Sequence, residues 1–166
     1  MNKSIALIGI CILFISCHTV KVRTVPAFYF AQKTTIAIEQ ADVDETKSIT
    51  ELKYQLAQKG FNIVSLENAQ KAIANPGKII GKDHNNEIQE IYSIKDTHSV
   101  YKIVIGYRHF YDVFHYAYSK FQFWVVDLNT DKTVMWGHLF GDKSVEGTLK
   151  DLSEKLAKRV QAENKK

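Results

Sequence analysis

Strand-forming residues dominate the stretch from residue 100 to residue 138, and this feature constrains the fold more than any other. β-Branched and aromatic residues fill the runs Tyr101–Ile105, Phe121–Val126 and Thr133–Trp136. The last two runs bracket a polar segment, Asp127–Lys132, whose Asp and Asn residues favour a turn. The pattern predicts a β-hairpin around this segment and a sheet at the centre of the fold.

A strand–helix–strand unit precedes this stretch. Phe28–Glu39 is predicted to form a strand, and Thr34–Ile38 within it is rich in β-branched residues. Ser48 and Glu51 have the spacing of a capping box, which predicts the start of a helix. Apolar residues then recur at helical intervals until Gly60, which favours the left-handed conformation of a helix end. Phe61–Ser65 resumes the strand pattern.

Two further helices are predicted. Glu67–Ala74 has the pattern of a short helix, and the following Asn-Pro-Gly segment would end it. Near the carboxyl terminus, an apolar stripe recurs every three or four residues between charged positions. The stripe comprises Val145, Leu149, Leu152, Leu156 and Val160. The stretch from Lys78 to Ser99 has two interpretations, either one or two helical turns or an ordered loop.

These elements predict a single α+β domain. We expect a mostly antiparallel sheet of about four or five strands, with two or three helices on one face. The domain would span residues 28–162, after a short tether at residues 17–27 and before a polar tail at residues 163–166. A chain of this length can bury a substantial core within one domain.

The first 16 residues are predicted to form a signal peptide helix outside the domain. Lys3 gives a positive start, and Ser4–Ser16 is almost wholly apolar. Such a helix would be about 20 Å long, whereas a bilayer core of about 30 Å needs roughly 20 apolar residues. The run therefore suits export better than a membrane span. An uncleaved anchor is the alternative.

The apolar run ends in Leu13-Phe14-Ile15-Ser16-Cys17, which resembles the lipobox of bacterial lipoproteins. In such proteins the signal peptide is cut before the cysteine, which is acylated and becomes the new amino terminus. The resemblance implies that Cys17 carries lipid such as palmitate and holds the chain to a membrane. Cys11 is a weaker candidate, because bulky Ile10 precedes it. With Cys17 acylated, packing without an intramolecular disulfide must stabilise the fold.

Neither charge nor motifs predict an enzyme or a nucleic-acid-binding protein. A net charge of +4 is too small to suggest a nucleic-acid partner. The sequence contains no nucleophile elbow, phosphate-binding loop or dinucleotide fingerprint. We therefore expect no catalytic residues and no cofactor.

Two patterns invite a metal-site interpretation, but neither has the required spacing. Asp127–Asp131 resembles the start of a calcium loop, yet the sixth and twelfth places hold Lys132 and His138 instead of Gly and Glu. The three histidines between residues 98 and 115 lack metal-ligand spacing. We expect no metal site, and a turn in which Asp and Asn side chains accept backbone hydrogen bonds.

Nine aromatic residues fall within the 18 residues from Tyr107 to Trp124. If Ile103–Tyr111 is one strand, both of its faces carry bulky side chains. One interpretation is a core face with an amphipathic outer face. The other is an aromatic groove or partner patch, because tyrosine and tryptophan bury area while keeping a polar group. The candidate binding residues are Tyr107, Tyr111, Tyr118, Trp124 and Trp136.

The order of elements also resembles a group of small envelope lipoproteins. As in that group, a lipobox precedes a strand–helix–strand unit whose helix ends in Lys59-Gly60 before the aromatic Phe61. A strand, an aspartate turn and a strand ending in tryptophan follow, and a helix closes the domain. The domain is similar to the amino-terminal domain of the translocation protein TolB and to curli-secretion lipoproteins over roughly Thr34 to Val160. The resemblance implies an assembly or binding factor and assigns no functional residues.

We therefore expect a membrane-anchored, non-catalytic lipoprotein of the bacterial cell envelope, on the periplasmic side of the outer membrane. It would bind an envelope protein partner or assist assembly. The alternative is a small-ligand carrier that holds a lipid or glycan in an aromatic pocket, and an enzyme is the third candidate. The sequence does not indicate an oligomeric state.

Overall fold

The computed structural model describes residues 19–40, 43–74 and 99–161, which form three helices and a six-stranded sheet. The strands are β1 (Lys21–Thr24), β2 (Thr35–Gln40), β3 (Asn62–Val64), β4 (Val100–Tyr111), β5 (Tyr116–Asp127) and β6 (Lys132–Ser144). The helices are α1 (Ser48–Gln58), α2 (Leu66–Ala74) and α3 (Val145–Ala157). The predicted signal peptide, Cys17, the polar tail and residues 78–98 of the uncertain stretch lie outside the described residues.

The sheet is mixed, with the strand order β1-β6-β5-β4-β2-β3. β4, β5 and β6 pair antiparallel as two consecutive hairpins, and β1 pairs antiparallel with β6 at one edge. β2 pairs parallel with both β4 and β3. The β2–β3 pair is parallel because α1 carries the chain back along the sheet between the two strands.

This sheet exceeds the predicted four or five strands, and two of its pairings are parallel. The extra strand, β1, lies within residues 17–27, the range predicted as a tether, and pairs along its whole length with β6. Val20 and Val22 alternate with Lys21 and Arg23, but so few residues do not distinguish an edge strand from a β-prone tether. Strand character in a sequence also does not specify which neighbour a strand pairs with, or in which direction.

Two of the helices, α1 and α3, pack on one face of the sheet and enclose the main core. Ile36 and Ile103 from the sheet and Leu52 from α1 are fully buried in this core. α2 lies on the opposite face near the β3 edge, where Ala69 packs in a smaller cluster with Ala37. The prediction of helices on one face is therefore correct for α1 and α3 and wrong for α2. Consecutive residues of β2 are apolar, and their side chains point to opposite faces of the sheet. Both faces of this strand can therefore be buried.

The ends of α1 are set by residues on either side of it. The Asp44 carboxylate accepts hydrogen bonds from the N–H groups of Ser48 (2.6 Å) and Ile49 (2.8 Å). Asp44, and not Ser48 as predicted, therefore satisfies the free donors at the helix start. Gly60 ends the helix as predicted, with φ +86°.

The β5–β6 turn forms as the sequence predicted. The Asp127 carboxylate accepts hydrogen bonds from the N–H groups of Asn129 (2.8 Å) and Thr130 (3.3 Å). Lys132, which occupies the sixth place of the rejected calcium pattern, is the first residue of β6. The Asp127 carboxylate therefore stabilises the turn.

Gly137 allows β6 to pack closely against both of its neighbours, and we expect Gly137→Ala to destabilise the domain strongly. A Cβ atom here would lie 2.1 Å from the Lys21 carbonyl oxygen and 2.5 Å from Cε1 of Phe123. The backbone contact cannot be relieved by a side-chain rotation, so the expected loss is about 3 kcal/mol of unfolding free energy. Urea unfolding measures it.

Gly106→Ala is the matched control for this substitution. Gly106 lies in β4 of the same sheet, but a Cβ atom there would have no neighbour within 4 Å. Its unfolding free energy should stay the same or rise by up to about 1 kcal/mol, since alanine restricts the unfolded chain more than glycine does. Equal destabilisation by the two variants would contradict the close packing of β1 on β6.

Candidate binding face

The sheet face opposite α1 and α3 is open over β1, β6, β5 and β4, since α2 covers the β3 edge of that face. The strand register places four residues in one row across these strands. The row consists of Arg23, Trp136, Trp124 and Val104. A second row contains Lys21, His138, Gln122 and Gly106. We call this surface the open face.

Trp124 and Trp136 are directly opposite each other at the centre of the open face. Their exposed fractions are 39% and 37%, so much of each indole ring contacts solvent. Cross-strand aromatic pairs stabilise a sheet modestly, by about 0.2–1 kcal/mol. The stability of a hairpin does not require two large exposed rings side by side. Contiguous exposed apolar surface of this kind is typical of binding sites.

Phe140 extends this apolar surface along β6. It is 60% exposed, and its ring centroid lies 4.9 Å from that of His138. Lys120, directly opposite on β5, places its Nζ 5.9 Å from the Phe140 ring centroid. The cation lies within the range of a favourable cation–π contact, which helps hold the lysine over the ring.

Basic side chains surround the aromatic centre of the open face. Lys21 and Arg23 are exposed on β1, and Arg108 is exposed opposite Lys120. Two acidic residues lie on the described part of this face: Glu39, whose carboxylate pairs with Lys102 at 2.8 Å, and exposed Asp142 near the end of β6. The open face is therefore positive, and it complements an acidic surface.

The five predicted binding residues separate into two groups. Trp124 and Trp136 lie on the open face, as described above. Tyr107 and Tyr118 lie on the helix-covered face, and Tyr111 is exposed at the end of β4. The structure therefore does not bring the five together.

Tyr118 belongs to the core and is not available to a partner. Its side chain is fully buried, and its hydroxyl forms a hydrogen bond with the Ser48 hydroxyl. Burial raises the pKa of the Tyr118 hydroxyl, so it remains protonated at physiological pH. The Tyr107 hydroxyl donates to the Asp44 carboxylate at 3.1 Å. Both tyrosines thus fix the start of α1 against the sheet.

A chain of aromatic contacts continues from Tyr107 towards the β4–β5 turn. His109 lies 5.8 Å from Tyr107 and 5.6 Å from Tyr116 between ring centroids, and Tyr111 lies 5.2 Å from Tyr116. The His109 Nε2 is 3.1 Å from a carboxylate oxygen of Glu45. These contacts make the hairpin a stiff extension of the sheet.

A cleft of about 440 Å³ lies between this hairpin and the starts of α1 and α3. Its polar lining includes Glu51, His115 and Glu146. His115 is held by Asp112, with Nδ1 3.1 Å from a carboxylate oxygen. Within residues 19–40, 43–74 and 99–161, no three His, Cys, Asp or Glu side chains are grouped to hold a metal ion. No helix in the same ranges is long and apolar enough to cross a membrane.

Sequence reasoning identified the two tryptophans but missed most of their surroundings. Lys21, Arg23, Lys120 and Phe140 were not among the predicted site residues. Trp136, His138 and Phe140 alternate along β6, and this alternation could have predicted the aromatic part of the open face. The basic residues carry no such signal, because only the strand register brings them beside the tryptophans.

Among solved structures, two are similar to this chain at low sequence identity and with TM-scores below 0.5. No family model matches the sequence, and no curated protein matches it. The PelC dodecamer from Paraburkholderia phytofirmans in space group P6 has a TM-score of 0.45 and 11% identity, over 87% of this chain and 99% of that chain. A dodecamer of a PelC point variant from the same organism, in space group C2, has a TM-score of 0.43 and 11% identity, over 84% of this chain and 94% of that chain.

Proposed function

We propose that this chain is a non-catalytic lipoprotein of the bacterial cell envelope that binds a protein partner through its open face. The observation that carries the proposal is the exposed pair of Trp124 and Trp136 with basic residues around it. A central aromatic cluster with a charged rim is the usual anatomy of a protein–protein contact. The partner presents an acidic surface with an apolar centre.

The location rests on the amino-terminal sequence. A short apolar run stops at Cys17, and this cysteine is followed within four residues by the first strand of the domain. Lipid on Cys17 would hold the domain close to a membrane, on the periplasmic side of the outer membrane in this proposal. A partner of the open face is therefore another envelope protein.

A carrier of lipid or glycan fits the aromatic residues less well. A carrier needs a hollow core, whereas the buried rings pack against one another. The Tyr118 ring centroid lies 5.2 Å from that of Phe121, and Phe30 contacts both Phe61 and Tyr101 at 5.5 and 5.2 Å. The exposed aromatic residues of the open face form a broad surface, which suits another protein surface better than an enclosed small ligand.

Site-specific photo-crosslinking in living cells tests the partner surface. Gln122 lies between the tryptophan row and Lys120, so a photo-reactive side chain at this position should form an adduct with one envelope protein. Tyr54, exposed on α1 behind the sheet, is the matched control position and should give no such adduct.

The identity and behaviour of the adduct decide the outcome. Mass spectrometry should identify a protein with an acidic surface. The yield of adduct should fall when salt is added before irradiation, because screening reduces attraction between exposed charges. Equal adducts at Gln122 and Tyr54, or none at Gln122 in protein correctly located at the membrane, would contradict a partner on the open face.

A further inference from the structure

The β4–β5 turn exposes two large apolar side chains at one end of the fold. Val113 is 78% exposed and Phe114 is 86% exposed. Tyr111 and Tyr116, which flank the turn on the two strands, are also exposed. Valine and phenylalanine are usually buried, so their exposure together at the tip of a turn between tyrosines is unusual.

The turn is organised so that these two side chains are held outwards. The Asp112 carboxylate accepts hydrogen bonds from the N–H groups of Phe114 (3.3 Å) and His115 (3.1 Å). Val113 has φ +74°, a left-handed conformation that is costly for a β-branched residue. Glycine would adopt this conformation without strain, so the exposed valine carries a backbone cost at this position.

The strand directions place the amino-terminal segment at the same end of the fold. β6 runs parallel to β4, since each is antiparallel to β5. β1 runs opposite to β6, with Lys21 beside His138 and Thr24 beside Met135. The residues before Lys21 therefore lead towards the end of β6, which is also the end that carries the β4–β5 turn.

The point where the chain leaves the domain is fixed by Asp151 of α3. Its carboxylate accepts a hydrogen bond from the Val20 N–H at 2.7 Å and lies 3.2 Å from Nζ of Lys143. Burial alone would raise the pKa of the Asp151 carboxyl, but the Val20 N–H, Lys143 and Lys155 together lower it. The ionised carboxylate thus ties the first described residues to the core.

Chain length then limits where lipid on Cys17 can lie. Three residues separate Cys17 from Lys21, so the two ends of this segment lie at most about 14 Å apart. The six residues from His138 to Ser144 extend about 20 Å along the sheet in the same direction. The β4–β5 turn lies farther still, beyond the Ala117–Ser144 pair. Even a fully extended segment leaves Cys17 at least about 6 Å short of Ser144 along the strands, so the turn projects past Cys17 and can contact the membrane surface that holds it.

We infer that the β4–β5 turn inserts Val113 and Phe114 into the lipid surface that holds Cys17, and so fixes the orientation of the domain. The inference rests on the proposed lipid anchor. Phenylalanine and valine enter the apolar boundary, while tyrosines such as Tyr111 and Tyr116 prefer the membrane–water interface. In this orientation the strands stand away from the membrane, and the open face is turned sideways towards partners.

A fluorescent probe on the turn tests the inference in the lipidated protein. In mature protein acylated at Cys17, a cysteine introduced by Phe114→Cys would be the sole free thiol, because Cys11 is removed with the signal peptide. An NBD probe on this thiol should brighten several-fold in phosphatidylethanolamine–phosphatidylglycerol vesicles, and doxyl-labelled lipid should quench it.

Thr130→Cys provides the control, since Thr130 lies on the β5–β6 turn at the opposite end of the sheet. Its NBD probe should neither brighten nor be quenched. Vesicle-bound, fatty-acid-labelled protein in which both probes remain unquenched would overturn membrane insertion of the turn and leave the lipid anchor intact. Protein without fatty acid on Cys17 would overturn the anchor itself.

Val113→Gly with Phe114→Ser gives a second test that does not depend on a probe. Removal of the strained valine should keep or raise the unfolding free energy, since glycine adopts φ +74° without strain. The same double variant should lose the fixed orientation, seen as faster proteolysis at the β4–β5 turn in vesicles. Unchanged protection of the turn would contradict the inference.

Discussion

The Trp124→Ala/Trp136→Ala double variant should bind the open-face partner at least about 30-fold more weakly than the unaltered protein, which corresponds to about 2 kcal/mol. The two indoles are directly opposite each other at the centre of the face, and both are more than a third exposed. A central aromatic anchor that becomes buried on binding contributes far more than residues at a rim. Isothermal titration with the crosslinked partner, once purified, measures the loss.

The expected loss of affinity must come from the missing contacts with the partner and not from unfolding of the variant. Because both rings are partly exposed, the double variant should lose about 1 kcal/mol or less of unfolding free energy through the missing cross-strand pair. Tyr54→Ala removes an exposed aromatic ring of similar size from α1 and should leave the affinity unchanged. Equal affinity of the double variant and Tyr54→Ala would show that the partner binds elsewhere.

Rim charges should act mainly on the rate of association. Lys120 and Arg23 flank the tryptophan row, and each contributes to the positive field of the open face. Exposed charges of this kind accelerate encounter with an acidic surface and are screened by salt. The tryptophans therefore decide how long the complex lasts, and the cations decide how often it forms.

The helix ends and turns of this fold were predictable because the residues that determine them lie within or next to the element itself. Gly60 ends α1 as predicted, and Asp127 organises the β5–β6 turn through its own side chain. The parallel pairing of β2 with β4 was not predictable in the same way. It depends on where α1 and α2 direct the chain, and alternation of side chains within a strand carries no information on its partner.

The candidate site was predictable only in part, because a bulge changes which face a side chain occupies. By simple alternation, Tyr118 would share a face with Lys120 and Trp124. The ladder instead shifts between Tyr118 and Lys120, so that Tyr118 is directed into the core with Phe121. One extra residue in a strand reverses the faces on either side of it. No Gly or Pro marks that position within β5, and Gly141, with φ +106°, lies opposite it in β6.

A second residue whose role depended on tertiary structure is Asp44. The sequence places it in a loop, and the capping-box spacing of Ser48 and Glu51 made Ser48 the better candidate for the helix cap. Ser48 is instead buried against Tyr118, so its side chain is committed to the core. The preceding carboxylate then supplies the cap that the helix start requires.

Cys17→Ser should abolish fatty-acid attachment completely and release the mature domain from washed membranes. The proposed anchor is a thioether on the cysteine sulfur, and a serine hydroxyl is not a substrate for that chemistry. Metabolic labelling with tritiated palmitate, followed by separation of soluble and membrane fractions, measures both effects. Cys11→Ser is the matched control, since it removes the other cysteine of the chain and should leave labelling and location unchanged.

The Cys17→Ser variant should still associate with vesicles, but weakly and reversibly. A few apolar side chains at the β4–β5 turn bury far less surface than acyl chains, and a single weak signal does not give stable anchoring. Removing Val113 and Phe114 as well should abolish this residual binding. If Cys17→Ser remained firmly bound to washed membranes, residues 1–16 would have to be retained as the anchor in that variant, and mass spectrometry of the unaltered protein would show whether it retains them too.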